Sequence, residues 1–130
     1  MAGPRLSRIL LVEDDPDVQT VASLALSSFG GFEVKVCGSA REALDCAAAF
    51  APDLILLDVM MPDMDGLDTL RELRAASETA DVPVIFITAR VQPKDIARYR
   101  QLGSLAVIAK PFEPTSLADT IQQIWRAHHA

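Results

Sequence analysis

Four short apolar runs stop on polar residues whose types belong together chemically. Ile9-Leu10-Leu11-Val12 stops on Glu13-Asp14-Asp15, and Leu54-Ile55-Leu56-Leu57 stops on Asp58. Val82 to Ile87 runs into Thr88, and Leu105 to Ala109 runs into Lys110-Pro111. Runs this short and this apolar read as strands buried on both faces, as in a parallel sheet. In such a sheet all carboxyl ends lie on one edge, where open α/β folds bind their ligands. Glu13, Asp14, Asp58, Thr88 and Lys110 are therefore expected to converge although they are far apart in sequence.

Convergent carboxylates repel. Two unit charges ~4 Å apart cost roughly 1 kcal/mol in water and ~4 kcal/mol at an effective dielectric of 20. A hard divalent cation with oxygen ligands relieves this. Mg2+ fits best, because it commonly takes one or two carboxylates, several waters and a phosphate. No His/Cys set suited to zinc accompanies the acids. Lys110 adds a point charge that can pair with Asp58 or with a phosphoryl oxygen on it, and Thr88 offers a hydroxyl donor. The chemistry that uses these parts is phosphoryl transfer to a carboxylate. Asp58 would attack phosphorus in line to give an acyl phosphate, with Mg2+ and Lys110 stabilising charge on the transferring oxygens. An ionised carboxylate has no proton to lose, so no general base is required. Each residue also has a plain reading: Asp58 as a turn residue, Asp15 as a helix cap before Pro16, Thr88 as a strand end, Lys110-Pro111 as punctuation. Their succession, one set per strand end, is what favours the chemical reading.

The elements that must hold these groups alternate in type. After Pro16, residues Val18, Val21, Ala22, Ala25 and Phe29 recur at helical spacing, and Gly30-Gly31 stops that helix. Glu33 to Cys37 alternates polar and apolar, as a half-exposed edge strand does. Ser39-Ala40-Arg41-Glu42 matches a capping box, and Leu44, Ala47 and Ala48 follow on one face before Pro52. Asp65-Gly66 starts a helix with Leu67, Leu70 and Leu73 on one side. Pro93 opens a charged helix through Ile96, Tyr99 and Leu102, with Gly103 as its stop. Pro114 opens the last, carrying Leu117, Ala118, Ile121, Ile124 and Trp125. The pattern is β-α five times, which implies a parallel sheet covered on both faces.

Composition narrows the function. At 130 residues the chain is expected to be one domain, residues 1–130, with a flexible lead over 1–7. It ends just after the fifth helix, so no output domain is expected. Net charge is −6, which argues against direct nucleic-acid binding, since a phosphate backbone selects for basic surface. No apolar run reaches the roughly 18 to 20 residues of a membrane span, and no secretory signal opens the chain. A cytoplasmic location is expected. Cys37 and Cys46 lack CxxC spacing and read as reduced, packed thiols. His128 and His129 read as tail residues.

The quoted residues make the sequence resemble the receiver domain of two-component response regulators. The matching stretches are Leu11-Val12-Glu13-Asp14-Asp15-Pro16, Leu56-Leu57-Asp58-Val59-Met60-Met61-Pro62-Asp63-Met64-Asp65-Gly66, Ile87-Thr88-Ala89 and Lys110-Pro111-Phe112. The resemblance runs from about Arg8 to Trp125. It implies an α/β, flavodoxin-like, doubly wound five-stranded parallel sheet of strand order 2-1-3-4-5 with five helices. It implies that Asp58 accepts a phosphoryl group from a histidine kinase or a histidine phosphotransfer protein. It implies that Asp14, Asp58 and the backbone carbonyl of Met60 bind Mg2+, with Glu13 acting through water. Thr88 would swing toward the phosphoryl group, Lys110 would contact it, and the Lys110-Pro111 peptide would be cis. Such a domain is not an enzyme acting on outside substrates but promotes its own phosphorylation and dephosphorylation. Its output is binding of a downstream protein partner.

One position departs from the family. Many relatives carry an aromatic three places before the lysine, and here that place is Val107. The signal is therefore expected to leave through the loop after Thr88 and the helix from Pro93 to Leu102. Arg90, Lys94, Arg98 and Arg100 make that segment locally basic, which a solvated helix face would also explain. Two alternatives compete with a stand-alone switch. One is a receiver-like docking module working without phosphorylation, which the intact Asp14, Asp58, Thr88 and Lys110 set disfavours. The other is the receiver fragment of a larger, DNA-binding regulator or of a hybrid kinase. A phosphohydrolase is disfavoured because Met60 stands where such enzymes carry a second Asp.

Overall fold

The structure is a computed structural model, and it describes residues 4–129. Five strands form one parallel sheet: β1 (Arg8–Val12), β2 (Glu33–Cys37), β3 (Leu54–Asp58), β4 (Val84–Thr88) and β5 (Ala106–Ala109). Their order is β2-β1-β3-β4-β5, so the strand that ends on Asp58 lies at the centre. The helices are α1 (Pro16–Leu24), α2 (Ala40–Phe50), α3 (Gly66–Ala75), α4 (Pro93–Gln101) and α5 (Leu117–His128). This is the expected doubly wound arrangement.

Two cores flank the sheet, because successive strand side chains point to opposite faces. Ile9, Leu11, Leu54, Leu56, Ile85 and Ile87 meet α1 and α5 through Ala22, Leu26, Ile121 and Trp125. Leu10, Val12, Ile55, Leu57, Val84 and Phe86 meet α2, α3 and α4 through Ala43, Leu70, Leu73 and Tyr99. Burial on both sides is why the central strands read as unbroken apolar runs. The edge strand β2 keeps the alternating pattern, with Glu33 and Lys35 exposed.

Several sequence expectations are corrected. The face of α1 does not include Phe29, which is 66% exposed, or Val21, which is 42% exposed. Ala25–Phe29, directly after α1, is a π-helix. A π turn takes more residues per turn, so it rotates Phe29 outward. Leu26 and Phe32 fill the core instead. On α2 the buried positions are Ala40, Ala43 and Ala47, while Ala48 faces solvent. Helix α5 begins at Leu117, not at Pro114, because residues 114–116 form a turn closed by the Ser116 N–H to the Glu113 carbonyl. Strands β4 and β5 also start later than read, at Val84 and Ala106.

Of the expected lead, residues 1–3 lie outside the described residues. Leu6 is buried, and the Ser7 and Arg8 amides both donate to the Asp53 carboxylate, at 3.0 and 2.8 Å. The Trp125 indole N–H donates to the Pro4 carbonyl at 2.6 Å.

The correction on α1 is testable by urea unfolding. Leu26→Ala should lose about 2–5 kcal/mol of stability, as buried truncations do. Phe29→Ala should change it by less than about 0.5 kcal/mol. Equal losses would restore the face read from the sequence.

Candidate functional site

The site is built at the carboxyl edge of the sheet by three strand ends. Val12, at the end of β1, pairs with Leu57, so Glu13 and Asp58 emerge side by side from neighbouring strands. Carboxylate oxygens of Glu13, Asp14 and Asp58 all lie within 4.8 Å of one another. Glu13 and Asp58 are buried and Asp14 is exposed. On the far side, β5 hands over to Lys110 through a cis Lys110-Pro111 peptide. The Lys110 Nζ donates to Glu13 Oε1 at 2.5 Å and to Asp58 Oδ2 at 3.3 Å. Lys110 is thus the counter-ion of both buried acids.

The remaining bonds fix each acid in place. Glu13 Oε2 accepts the Asp15 N–H at 3.1 Å, and Asp58 Oδ1 accepts the Met60 N–H at 3.0 Å. The Gln19 side chain, one turn into α1, donates to the Glu13 carbonyl. Asp15 caps α1 through the Asp17 N–H, so the plain reading of Asp15 holds while its neighbour Asp14 joins the cluster.

Electrostatics follow from this burial. Desolvation pushes the Glu13 carboxyl above its ordinary range, and the nearby Asp58 charge adds to that; the Lys110 bond works the other way. Burial works to lower the Lys110 pKa, but its contacts with Glu13 and Asp58 together outweigh it and raise it. Three carboxylates and one ammonium leave a net charge near −2 when all are ionised. The donors are hard oxygens, one of them open to solvent. That set fits a small divalent cation of the Mg2+ kind, which keeps several waters.

Thr88 is buried at the end of β4, which pairs with β3. Its hydroxyl does not engage the acids. It accepts the Arg90 N–H at 3.0 Å, and the Arg90 carbonyl in turn accepts the Tyr99 O–H at 3.0 Å. Tyr99 is the one buried residue of α4, and its ring stacks edge-on against Phe86 of β4 with centroids 5.2 Å apart. Burial, then the Asp95 charge, raises the Tyr99 pKa and keeps the phenol a donor. Two hydrogen bonds thus link the Thr88 hydroxyl to α4 through Arg90. Val107 is half-buried and packs on the same side as Tyr99.

Sequence reading missed several supporting residues. Sequence places Tyr99 only within the charged helix from Pro93, since its phenol's partner lies nine residues back. Asp63 stands in the sequence only as part of the stretch after Asp58, yet its carboxylate accepts the Ala40 and Arg41 amides at 3.3 and 3.2 Å, at the start of α2. Slight burial opposes it, but those amides hold the Asp63 pKa below its ordinary value. Gly66 was read as a helix start. A Cβ there would lie 2.7 Å from the Asp58 carbonyl oxygen and 2.7 Å from the Val59 Cα. The glycine lets α3 begin directly against the peptide that carries Asp58, and its N–H donates to the Val59 carbonyl at 2.8 Å. The expected tail histidines stay apart from the site; His129 packs on Trp125.

The sequence matches the family described as the response regulator receiver domain over residues 9–122. It is 36% identical over 115 residues to the DNA-binding response regulator MtrA of Mycolicibacterium smegmatis, covering 88% of this chain and 49% of the relative. The chain thus spans about half the length of the curated relatives it matches. Among solved structures it resembles the chemotaxis response regulator CheY4 of Vibrio cholerae, at TM-score 0.84 and 28% identity, covering 92% of this chain and 99% of that one. It also resembles the receiver domain of a Pseudomonas aeruginosa sensor histidine kinase, at TM-score 0.80 and 34% identity, covering 92% and 97%. That domain was solved with a magnesium ion coordinated in its active-site cleft.

The Gly66 contact predicts a loss that is both structural and local. Gly66→Ala should cost about 1–3 kcal/mol, the range for forcing extra atoms into a packed site. The amide resonances of Asp58 and Val59 should shift more than those of the α5 amides. Wild-type stability with an undisturbed Asp58 amide would show that the contact is not tight.

Proposed function

The chain belongs to the response regulator receiver domain family, and we propose that it is a phosphoacceptor switch in a two-component phosphorelay, with Asp58 as the site. The observation that supports this most directly is the buried Asp58 carboxylate, flanked by Glu13 and Asp14 and contacted by Lys110. Asp58 Oδ2 would attack the phosphorus of a phosphohistidine donor, forming a P–O bond as the P–N bond breaks. The donor would be a histidine kinase or a histidine phosphotransfer protein. Lys110 would then contact a phosphoryl oxygen, exchanging part of its present bond to Asp58 for the new charge. Thr88 would turn its hydroxyl toward the same group.

Mg2+ bound by Asp14, Asp58 and the Met60 carbonyl, with Glu13 acting through water, would supply charge neutralisation for the acids and the transferring oxygens. The net charge of the cluster and its oxygen donors support that choice. Met60 at the second position after Asp58 disfavours hydrolysis of outside substrates, so the domain would promote only its own phosphorylation and dephosphorylation. Among the described residues no helix is long and apolar enough to cross a membrane. A cytoplasmic site of action remains part of the proposal, as does a downstream protein partner.

Phosphorylation would act by shifting a population. Moving a balance from 1:99 to 99:1 takes about 5.5 kcal/mol of differential binding. In this chain the release point is the Thr88 hydroxyl. Turning it away gives up the Arg90 N–H, which loosens the Arg90 carbonyl that holds Tyr99. The signal would pass to α4 by that route, with Val107 in the place of the usual ring.

Two measurements test the proposal. Incubation with Mg2+ and acetyl phosphate should add a single phosphoryl group by intact mass. Asp58→Asn should take none, and Asp14→Asn should take it much more slowly. Labelling of Asp58→Asn, or none in wild type, defeats the assignment. For the route, Tyr99→Phe should cost about 1 kcal/mol of stability, as a lost hydrogen bond does. It should still be phosphorylated, but the change in amide exchange over 93–101 on phosphorylation should fade. An unaltered response in that segment would place the signal elsewhere.

A further inference from the structure

Away from the acidic cluster, Cys37 and Cys46 place their sulfur atoms 3.1 Å apart. Both are free thiols. Cys37 is the last residue of β2 and fully buried, and Cys46 lies on α2 and is half-buried. Packing alone would surround each thiol with apolar atoms. Here the two sulfurs face each other, inside the contact distance of unbonded sulfur atoms, across two different elements. A disulfide needs an S–S distance of about 2.05 Å, so roughly 1 Å of closure joins them.

We propose that Cys37 and Cys46 form a reversible intramolecular disulfide that locks α2 onto the end of β2. A peroxide is the oxidant class that fits a small, half-open thiol. Cys46 meets it first, because Cys37 has no exposure of its own. The Cys46 sulfur attacks one peroxide oxygen, the O–O bond breaks, and a sulfenic acid and water result. The Cys37 sulfur then attacks the Cys46 sulfur. Its proton leaves with the sulfenic oxygen as a second water, and the S–S bond forms. The sum is two thiols and hydrogen peroxide giving one disulfide and two waters. Thiol exchange with an outside reductant reverses it.

The locked helix matters to its surroundings. The Cys37 carbonyl accepts the Glu13 N–H at 3.0 Å, and Val12 and Cys37 are register partners. At its first turn, α2 offers the Ala40 and Arg41 amides to Asp63. A bridge would therefore restrain α2, whose first turn holds Asp63 of the loop after Asp58, against the strand whose last carbonyl holds the Glu13 N–H. The disulfide itself does not depend on the phosphorelay reading, and neither does its test.

The test is mild hydrogen peroxide on the intact protein, then alkylation in denaturant and mass analysis. The bridge predicts a monomer lighter by two hydrogen atoms that takes up no alkyl group, with a cross-linked peptide joining Cys37 to Cys46. Dithiothreitol should restore two alkylation sites. Cys46→Ser, a small change at a half-open position, should keep its remaining thiol alkylatable after the same treatment. Oxidised wild type should also melt higher and exchange α2 amides more slowly, while Cys46→Ser shows neither change. Retention of both alkylation sites, a disulfide-linked dimer, or oxidation of Cys46 that stops at a sulfinic acid would each overturn the bridge. A bridge without slower exchange in 40–50 would overturn the locking.

Discussion

Like charges held together at one edge of the sheet set the terms for the rest of the structure. Glu13 and Asp58 are buried, Asp14 stands beside them, and oxygens from all three come within 4.8 Å. Such a group persists only because something opposes its repulsion. Lys110 does so from the end of β5, bonded to both buried acids. The paired apolar strands fix where Glu13 and Asp58 leave the sheet, side by side. The strength of the core, put differently, is what holds an electrostatically costly arrangement in place.

That arrangement has a local scaffold as specific as the acids themselves. Gly66 brings α3 against the Asp58 peptide, Asp63 ties the intervening loop to α2, and Gln19 ties α1 to the Glu13 carbonyl. Helices α2 and α3 are fastened at their first turns, by free amides and by a small residue, and α1 by a side chain one turn in. The site is therefore positioned by helix starts as well as by strand ends. The far end of the sheet serves packing instead, with Trp125 and Leu6 closing the core there.

Thr88 stands between these two parts. Its hydroxyl is satisfied by its own loop and leads through Arg90 to the buried Tyr99. The hydroxyl oxygen is held as an acceptor by the Arg90 N–H, so turning it toward the acids would give up that bond. Tyr99 packs in the same core as Val107 and directs its phenol at that loop.

Much of this was legible in the sequence. Apolar runs ending on Glu13, Asp58, Thr88 and Lys110, alternating with helical periodicity, determined a parallel β-α sheet with those residues on one edge. The reason is physical: strands buried on both faces leave no periodicity but a clear end, and the first polar residue marks that end. Asp15, Ser39 and Asp65 announced helix starts because caps are local, and each caps in the structure. Tertiary structure alone decided what depends on rotation and reach. The π turn that turns Phe29 outward, the 3.1 Å approach of Cys37 to Cys46, the hold of Tyr99 on Arg90 and the contact of Gly66 with Asp58 all join atoms whose meeting no spacing rule specifies. Periodicity says which face a residue occupies only while the helix keeps its pitch, and it says nothing of which atoms the packed elements bring together.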